Sequence, residues 1–157
     1  MTPKESITDN FQETRKLGGL LALEIESGRQ QNPASGKAQI FCLEGDLGAG
    51  KTTFTQGLLE GLGAEGPYTS PTFLIMKHYE VKIQNPKTKV QNIYHLDAYR
   101  VGEEDILSLG WEELVSDPKN VIIVEWPERI EKILPEQAVR MRFEWLDENR
   151  RKITFGK

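Results

Sequence analysis

Short apolar runs and amphipathic stretches follow one another along the chain with turn residues between them, a rhythm that predicts an α/β protein. Over residues 9–27, Phe11, Thr14, Gly18, Leu21 and Ile25 fall on one helical face, with Asp9 placed to cap the helix and Gly28 to stop it. Residues 30–37, containing Asn32-Pro33 and Ser35-Gly36, read as a turn-rich connector. The run Ile40-Phe41-Cys42-Leu43 reads as a short buried strand, and residues 53–62 read as a helix, with Phe54, Leu58, Leu59 and Leu62 at helical spacing ahead of Gly63. Residues 72–81 and 92–96 are β-prone on either side of a turn at 84–89, so a hairpin is expected where strict alternation would put a helix. Residues 103–114 are acidic and amphipathic but broken at Gly110, and residues 121–124 form the continuous apolar run of a central parallel strand. Pro127 opens a short helix reaching Leu134. Residues 138–145 and 152–155, joined through Asp147-Glu148-Asn149, read as an antiparallel hairpin. The sum is one domain over residues 1–157: a three-layer α/β fold with a mixed, mainly parallel sheet, antiparallel hairpin additions and a ligand site at the C-terminal ends of strands.

Composition narrows the partners. The chain has 157 residues, 38% of them hydrophobic, enough for one substantial core. Its net charge is −4, and Lys and Arg are dispersed, so no footprint for gripping nucleic acid unaided is present. The nearest basic grouping, Arg140, Arg142, Arg150, Arg151 and Lys152, reads as a solvated strand face. A single cysteine makes no internal disulfide, and Cys42 inside an apolar strand reads as a small filler. No apolar stretch approaches a membrane span and the N-terminus is polar, so a cytoplasmic protein is expected.

The chemistry is concentrated after the strand at 40–43. Gly45-Asp46-Leu47-Gly48-Ala49-Gly50-Lys51-Thr52 fits G-x-x-x-x-G-K-[ST], the phosphate-cradling P-loop, and Thr53 adds a second hydroxyl. Glycines let backbone N–H groups turn inward into an anion nest that opens on a helix N-terminus. Lys51 would reach the β/γ-phosphates and Thr52 would ligate Mg²⁺. Such a site needs an acid at the end of a neighbouring strand, and Asp97 and Glu125 both follow apolar runs there. The sequence does not separate the acid that touches metal from the one that orients water. Ser70-Pro71-Thr72 stands where many P-loop proteins place a segment sensing the γ-phosphate. His95 is expected on the strand face opposite Asp97, as packing or in support, and Trp126 either over the site or in the core.

Together the P-loop, Ser70-Pro71-Thr72-Phe73, His95-Leu96-Asp97-Ala98-Tyr99-Arg100 and Glu125-Trp126-Pro127 with Arg129 resemble the TsaE (YjeE) family through most of the chain, residues 14–134. The resemblance implies a slow Mg²⁺-dependent ATPase needed for threonylcarbamoyladenosine in tRNAs reading codons that start with A. It implies work with TsaB and TsaD rather than the carbamoyl transfer itself, and contact with tRNA only through that complex. It assigns phosphate binding to Gly45, Asp46, Leu47, Gly48, Ala49, Gly50, Lys51, Thr52 and Thr53, and Mg²⁺ to Thr52 and Glu125. Asp97 matches an acid required for activity, Thr72 the switch-like hydroxyl and Trp126 the tryptophan beside the nucleotide. Asn10 and its neighbours are its candidates for adenine. The sequence shows no obvious arginine finger: either Arg100 or Arg129 serves in cis, or a partner completes the site and the isolated chain is a slow ATPase. Two other readings share the P-loop: a small-molecule kinase, which wants an Arg-rich lid that the sequence lacks, and a GTP-binding switch, which wants an Asn-Lys-x-Asp signature that is absent.

Overall fold

In chain order the elements are β1 (Glu5–Thr8), α1 (Phe11–Glu26), β2 (Gln39–Glu44), α2 (Lys51–Gly61), β3 (Met76–Glu80), β4 (Asn92–Asp97), α3 (Glu103–Leu107), α4 (Trp111–Val115), β5 (Asn120–Glu125), a 3-10 helix (Pro127–Ile133), β6 (Val139–Trp145) and β7 (Arg151–Gly156). This computed structural model describes residues 4–28, 36–71, 74–82 and 89–156. Thr72, most of the expected connector at 30–37 and most of the expected turn at 84–89 lie outside the described residues.

The strands form a seven-stranded sheet in the order β1-β7-β6-β2-β5-β4-β3. Its middle is parallel, β2 pairing with β5 and β6 and β5 with β4. Antiparallel pairs close both sides, β3 on β4 and β6-β7-β1 in succession. Every residue of β5 is buried, and its apolar run at 121–124 suits a central strand covered on both faces. One core, with Phe54, Leu58, Phe41 and Ile123, lies under α1 and α2; the other, with Ile106, Trp111, Ile122 and Ile130, lies under α3, α4 and the 3-10 helix. These are the three layers that the pattern predicts.

Backbone-to-backbone packing sets α1 against α2. A Cβ on Gly18 would stand 2.1 Å from the Phe54 carbonyl oxygen, and one on Gly57 1.8 Å from that of Arg15, so only hydrogen fits at either position. This contact holds the start of α1 beside the start of α2.

Two local expectations are corrected, and one strand is added. Asn10, not Asp9, caps α1: its Oδ1 accepts from the Glu13 amide at 2.9 Å, while Glu13 Oε2 accepts from the Asp9 amide at 2.7 Å. Phe11 is exposed at 65% instead of joining the buried face, because it opens the helix beyond the edge of the core. β1 was not expected; its burial runs from exposed to buried without strict alternation, and pairing with β7 makes it a strand.

Candidate functional site

The loop from Gly45 to Gly50 leaves the C-terminal end of β2 and turns into α2. Gly45 at φ 145° passes so close to β6 that a Cβ would stand 2.4 Å from the Phe143 carbonyl oxygen. Gly50 at φ 100° serves as N-cap without a side chain, leaving the first amides of α2 open to an anion. Within the loop the Ala49 amide donates to the Asp46 carbonyl at 3.1 Å. Leu47, 86% exposed, stands at the tip.

Lys51 is buried at the floor of the site, where its ammonium donates to the Gly45 carbonyl and lies 4.2 Å from the centre of the Trp126 ring. Burial pulls its pKa below the usual lysine range, opposed by the carboxylates of Glu125, Glu128, Asp97 and Asp46. A buried ammonium held by one carbonyl and a ring face retains donors for a polyanion.

Parallel pairing brings the acids together. Asp97 and Glu125 end adjacent strands and are register partners, so both point to the face that carries α2. Both are buried, at 9% and 4% exposure. Asp97 Oδ1 accepts from the Tyr99 amide at 2.9 Å. His95 is two residues before Asp97 and therefore shares its face, contrary to the sequence expectation; its Nε2 lies 3.6 Å from Glu125 Oε2. Neither ring nitrogen of His95 has a hydrogen-bond partner among the described residues.

Trp126 follows Glu125 with φ 57° and ψ 49°, a left-handed conformation that a bulky residue adopts only where its surroundings demand it. Its ring packs on Tyr99 at 4.9 Å, and the Arg129 guanidinium lies 5.6 Å from the Tyr99 ring. The sequence left Trp126 between site and core; it stands at the site.

These groups line a cavity of about 460 Å³ that contains Gly48, Gly50, Lys51, Thr52, Thr53, Ser70, Asp97, Glu125 and Trp126. Its other wall comes from Asn10, Phe11, Gln12 and Thr14 at the start of α1 and from Glu148, Asn149 and Arg151 on the β6–β7 hairpin. Asn10 thus lines the same cavity as the P-loop, while the hairpin residues have no counterpart among the site residues read from the sequence. Arg100 and Arg129 do not line the cavity. The basic run is largely the solvated strand face expected, with Arg142 and Arg150 exposed, Arg140 paired with Glu44 and Glu131, Lys152 with Glu5 and Arg150 with Asp147; Arg151 departs from that reading by reaching the P-loop. Cys42 is a filler as expected, its thiol pushed up to about 12 by burial.

A glycine-rich loop between a parallel strand and a helix, with carboxylates at the ends of the adjacent parallel strands, defines a P-loop α/β protein. The chain matches the family model described as Threonylcarbamoyl adenosine biosynthesis protein TsaE over residues 8–153, and it belongs to that family. Among its relatives is the tRNA threonylcarbamoyladenosine biosynthesis protein TsaE of Bacillus subtilis, 36% identical over 94% of this chain and 82% of that protein. The protein of the same name from Treponema pallidum is 32% identical over 94% of this chain and 96% of its own length. The crystal structure of Bacillus subtilis YdiB superposes with a TM-score of 0.69 at 32% identity, covering 96% of this chain and 82% of that one.

Proposed function

We propose that this chain is a Mg²⁺-dependent ATPase of threonylcarbamoyladenosine biosynthesis, turning over slowly alone and completed by TsaB and TsaD, and that it does not carry out the carbamoyl transfer. One observation carries the reading: Lys51, Thr52, Asp97 and Glu125 converge on one cavity at the ends of β2, β4 and β5. The P-loop amides and the α2 N-terminus receive the α- and β-phosphates. Lys51 exchanges its bond to the Gly45 carbonyl for the β/γ-phosphates and neutralises charge that develops there during transfer.

The donor set suits magnesium, one hydroxyl from Thr52 and one carboxylate from Glu125, with the remaining ligands left to phosphate oxygens and water. When bound, that ion supplies positive charge to the phosphate oxygens. Asp97, with Oδ1 fixed by the Tyr99 amide, keeps Oδ2 for the attacking water. Trp126 walls the site beside the nucleotide, and Thr72 is the hydroxyl that responds to the γ-phosphate.

The test is phosphate release from ATP with and without Mg²⁺, by the chain alone and with TsaB and TsaD, using Lys51→Ala as control. Weak turnover that rises with the pair and vanishes in the control supports the reading. Turnover only when a small phosphoacceptor is supplied would replace it with a kinase.

A further inference from the structure

Arg151 belongs to the basic run that the proposed chemistry leaves unused, and it does not lie on a free surface. Its Nη1 donates to the Asp147 carbonyl at 2.6 Å and to the Arg150 carbonyl at 2.9 Å, which ties the guanidinium to the turn of the β6–β7 hairpin. Its Nε donates to the Gly48 carbonyl at 3.0 Å, across 103 residues of sequence. The guanidinium also lies 6.0 Å from the Trp145 ring.

We propose that Arg151 is a positioning residue that holds the P-loop in its phosphate-binding shape through the Gly48 carbonyl, which makes the C-terminal hairpin part of the nucleotide site. In a trans peptide the carbonyl and the following N–H point in opposite directions. The unit joining Gly48 to Ala49 is therefore pinned at both ends, by Arg151 on its carbonyl and by the Asp46 carbonyl on its amide. Sterics do not do this work. A Cβ built on Gly48, at φ 78°, would meet nothing within 4 Å, so packing leaves that residue free to turn. The arginine stem also closes over the next glycine, its Cγ 3.5 Å from where a Gly50 Cβ would stand.

A loop that samples other shapes binds its ligand with an affinity reduced by the competent fraction, so the clamp acts by raising that fraction before nucleotide arrives. Arginine suits the task, because its rigid fork reaches the loop and the hairpin at once and keeps its charge.

The inference rests on the nucleotide-binding reading above, and its test separates the two. ATP and ADP affinities are measured by calorimetry for the unmodified protein, Arg151→Ala, Arg151→Lys and Lys51→Ala. Hydrogen exchange of the amides at residues 45–53 is followed in the nucleotide-free proteins. Arg151→Ala is expected to bind ATP and ADP alike about tenfold more weakly. Its P-loop amides should exchange faster before any nucleotide is added, while its melting temperature stays within a few degrees. Arg151→Lys, which keeps the charge and loses the fork, should fall between; it carries the same two readouts if the alanine variant does not fold. Unchanged affinity overturns the proposal. So does weakened affinity with unchanged exchange in the free protein, since Arg151 would then touch the nucleotide directly. If Lys51→Ala binds ATP as well as the unmodified protein, the nucleotide reading itself fails; if it loses ATP while both Arg151 variants keep it, only the clamp fails.

Discussion

Asp97 and Glu125 are adjacent carboxylates with different supports, and the roles proposed for them are tested separately. The Tyr99 amide holds one oxygen of Asp97, whereas Glu125 has the His95 ring 3.6 Å away. Asp97→Asn is expected to bind ATP within about twofold of the unmodified protein and to hydrolyse it about a hundredfold more slowly, the scale of losing one group that acts in the transition state. Calorimetry beside steady-state phosphate release checks this; undiminished hydrolysis would remove Asp97 from the water. Glu125→Gln should instead raise the Mg²⁺ concentration needed for half-maximal turnover. Cys42 offers a separate check on burial. Its folded pKa of about 12 lies above the ordinary 9.0, so its contribution to stability is complete below about pH 9 and is lost as pH rises toward 12. A disulfide reagent at pH 8 should find no reactive thiol until denaturant is added. At this scale the sequence was most legible where chemistry is contiguous: the P-loop is a motif, and each strand-end acid follows an apolar run. The face of His95 was misplaced even though residues two apart in a strand share a face.

The α1–α2 crossing is where element packing meets the site. Gly57→Ala places a methyl group against the Arg15 carbonyl and should cost about 2–3 kcal/mol, measured by denaturant unfolding, because backbone leaves no side chain to swing away. A near-neutral result would mean that the helices slide apart freely. The hairpin turn is held differently. Hydrogen bonds from the Arg150 side chain, then from the Arg150 and Asn149 amides, hold the Asp147 carboxyl at about 2. Its contribution is present above the ordinary 3.8 and is lost as pH falls through about 2, so carbon-detected titration should find Asp147 still charged at pH 3. Helical periodicity and the buried run of β5 made most elements legible. β1 was not, because a four-residue strand with a single buried position is defined by its partner rather than by its own pattern. The same holds for the second wall of the cavity. Asn10 to Thr14 and Glu148 to Arg151 carry no shared local signal, and β1–β7 pairing, with Thr8 opposite Arg151, brings them together.

At the scale of the whole molecule, a net charge of −4 with most arginines of the basic run engaged in ion pairs leaves little outside the P-loop to attract a polyanion. The isolated chain is expected to show no salt-dependent binding to tRNA in a filter or fluorescence assay at physiological ionic strength. Tight binding that weakens steeply with salt would reverse the view that tRNA is met only through partners. Among the described residues no helix is long and apolar enough to cross a membrane. The pairing of β1 with β7, Glu5 opposite Thr154, joins segments separated by nearly the whole chain. Such a contact forms late, after the parallel middle of the sheet has given it something to close upon. During translation, then, a ribosome that has released β2 and α2 from its tunnel has exposed the P-loop motif without the strand that clamps it. Nucleotide capture should lag behind motif synthesis until residues 151–156 emerge, so that a chain stalled short of them holds nucleotide more weakly although every residue of its phosphate loop has been made.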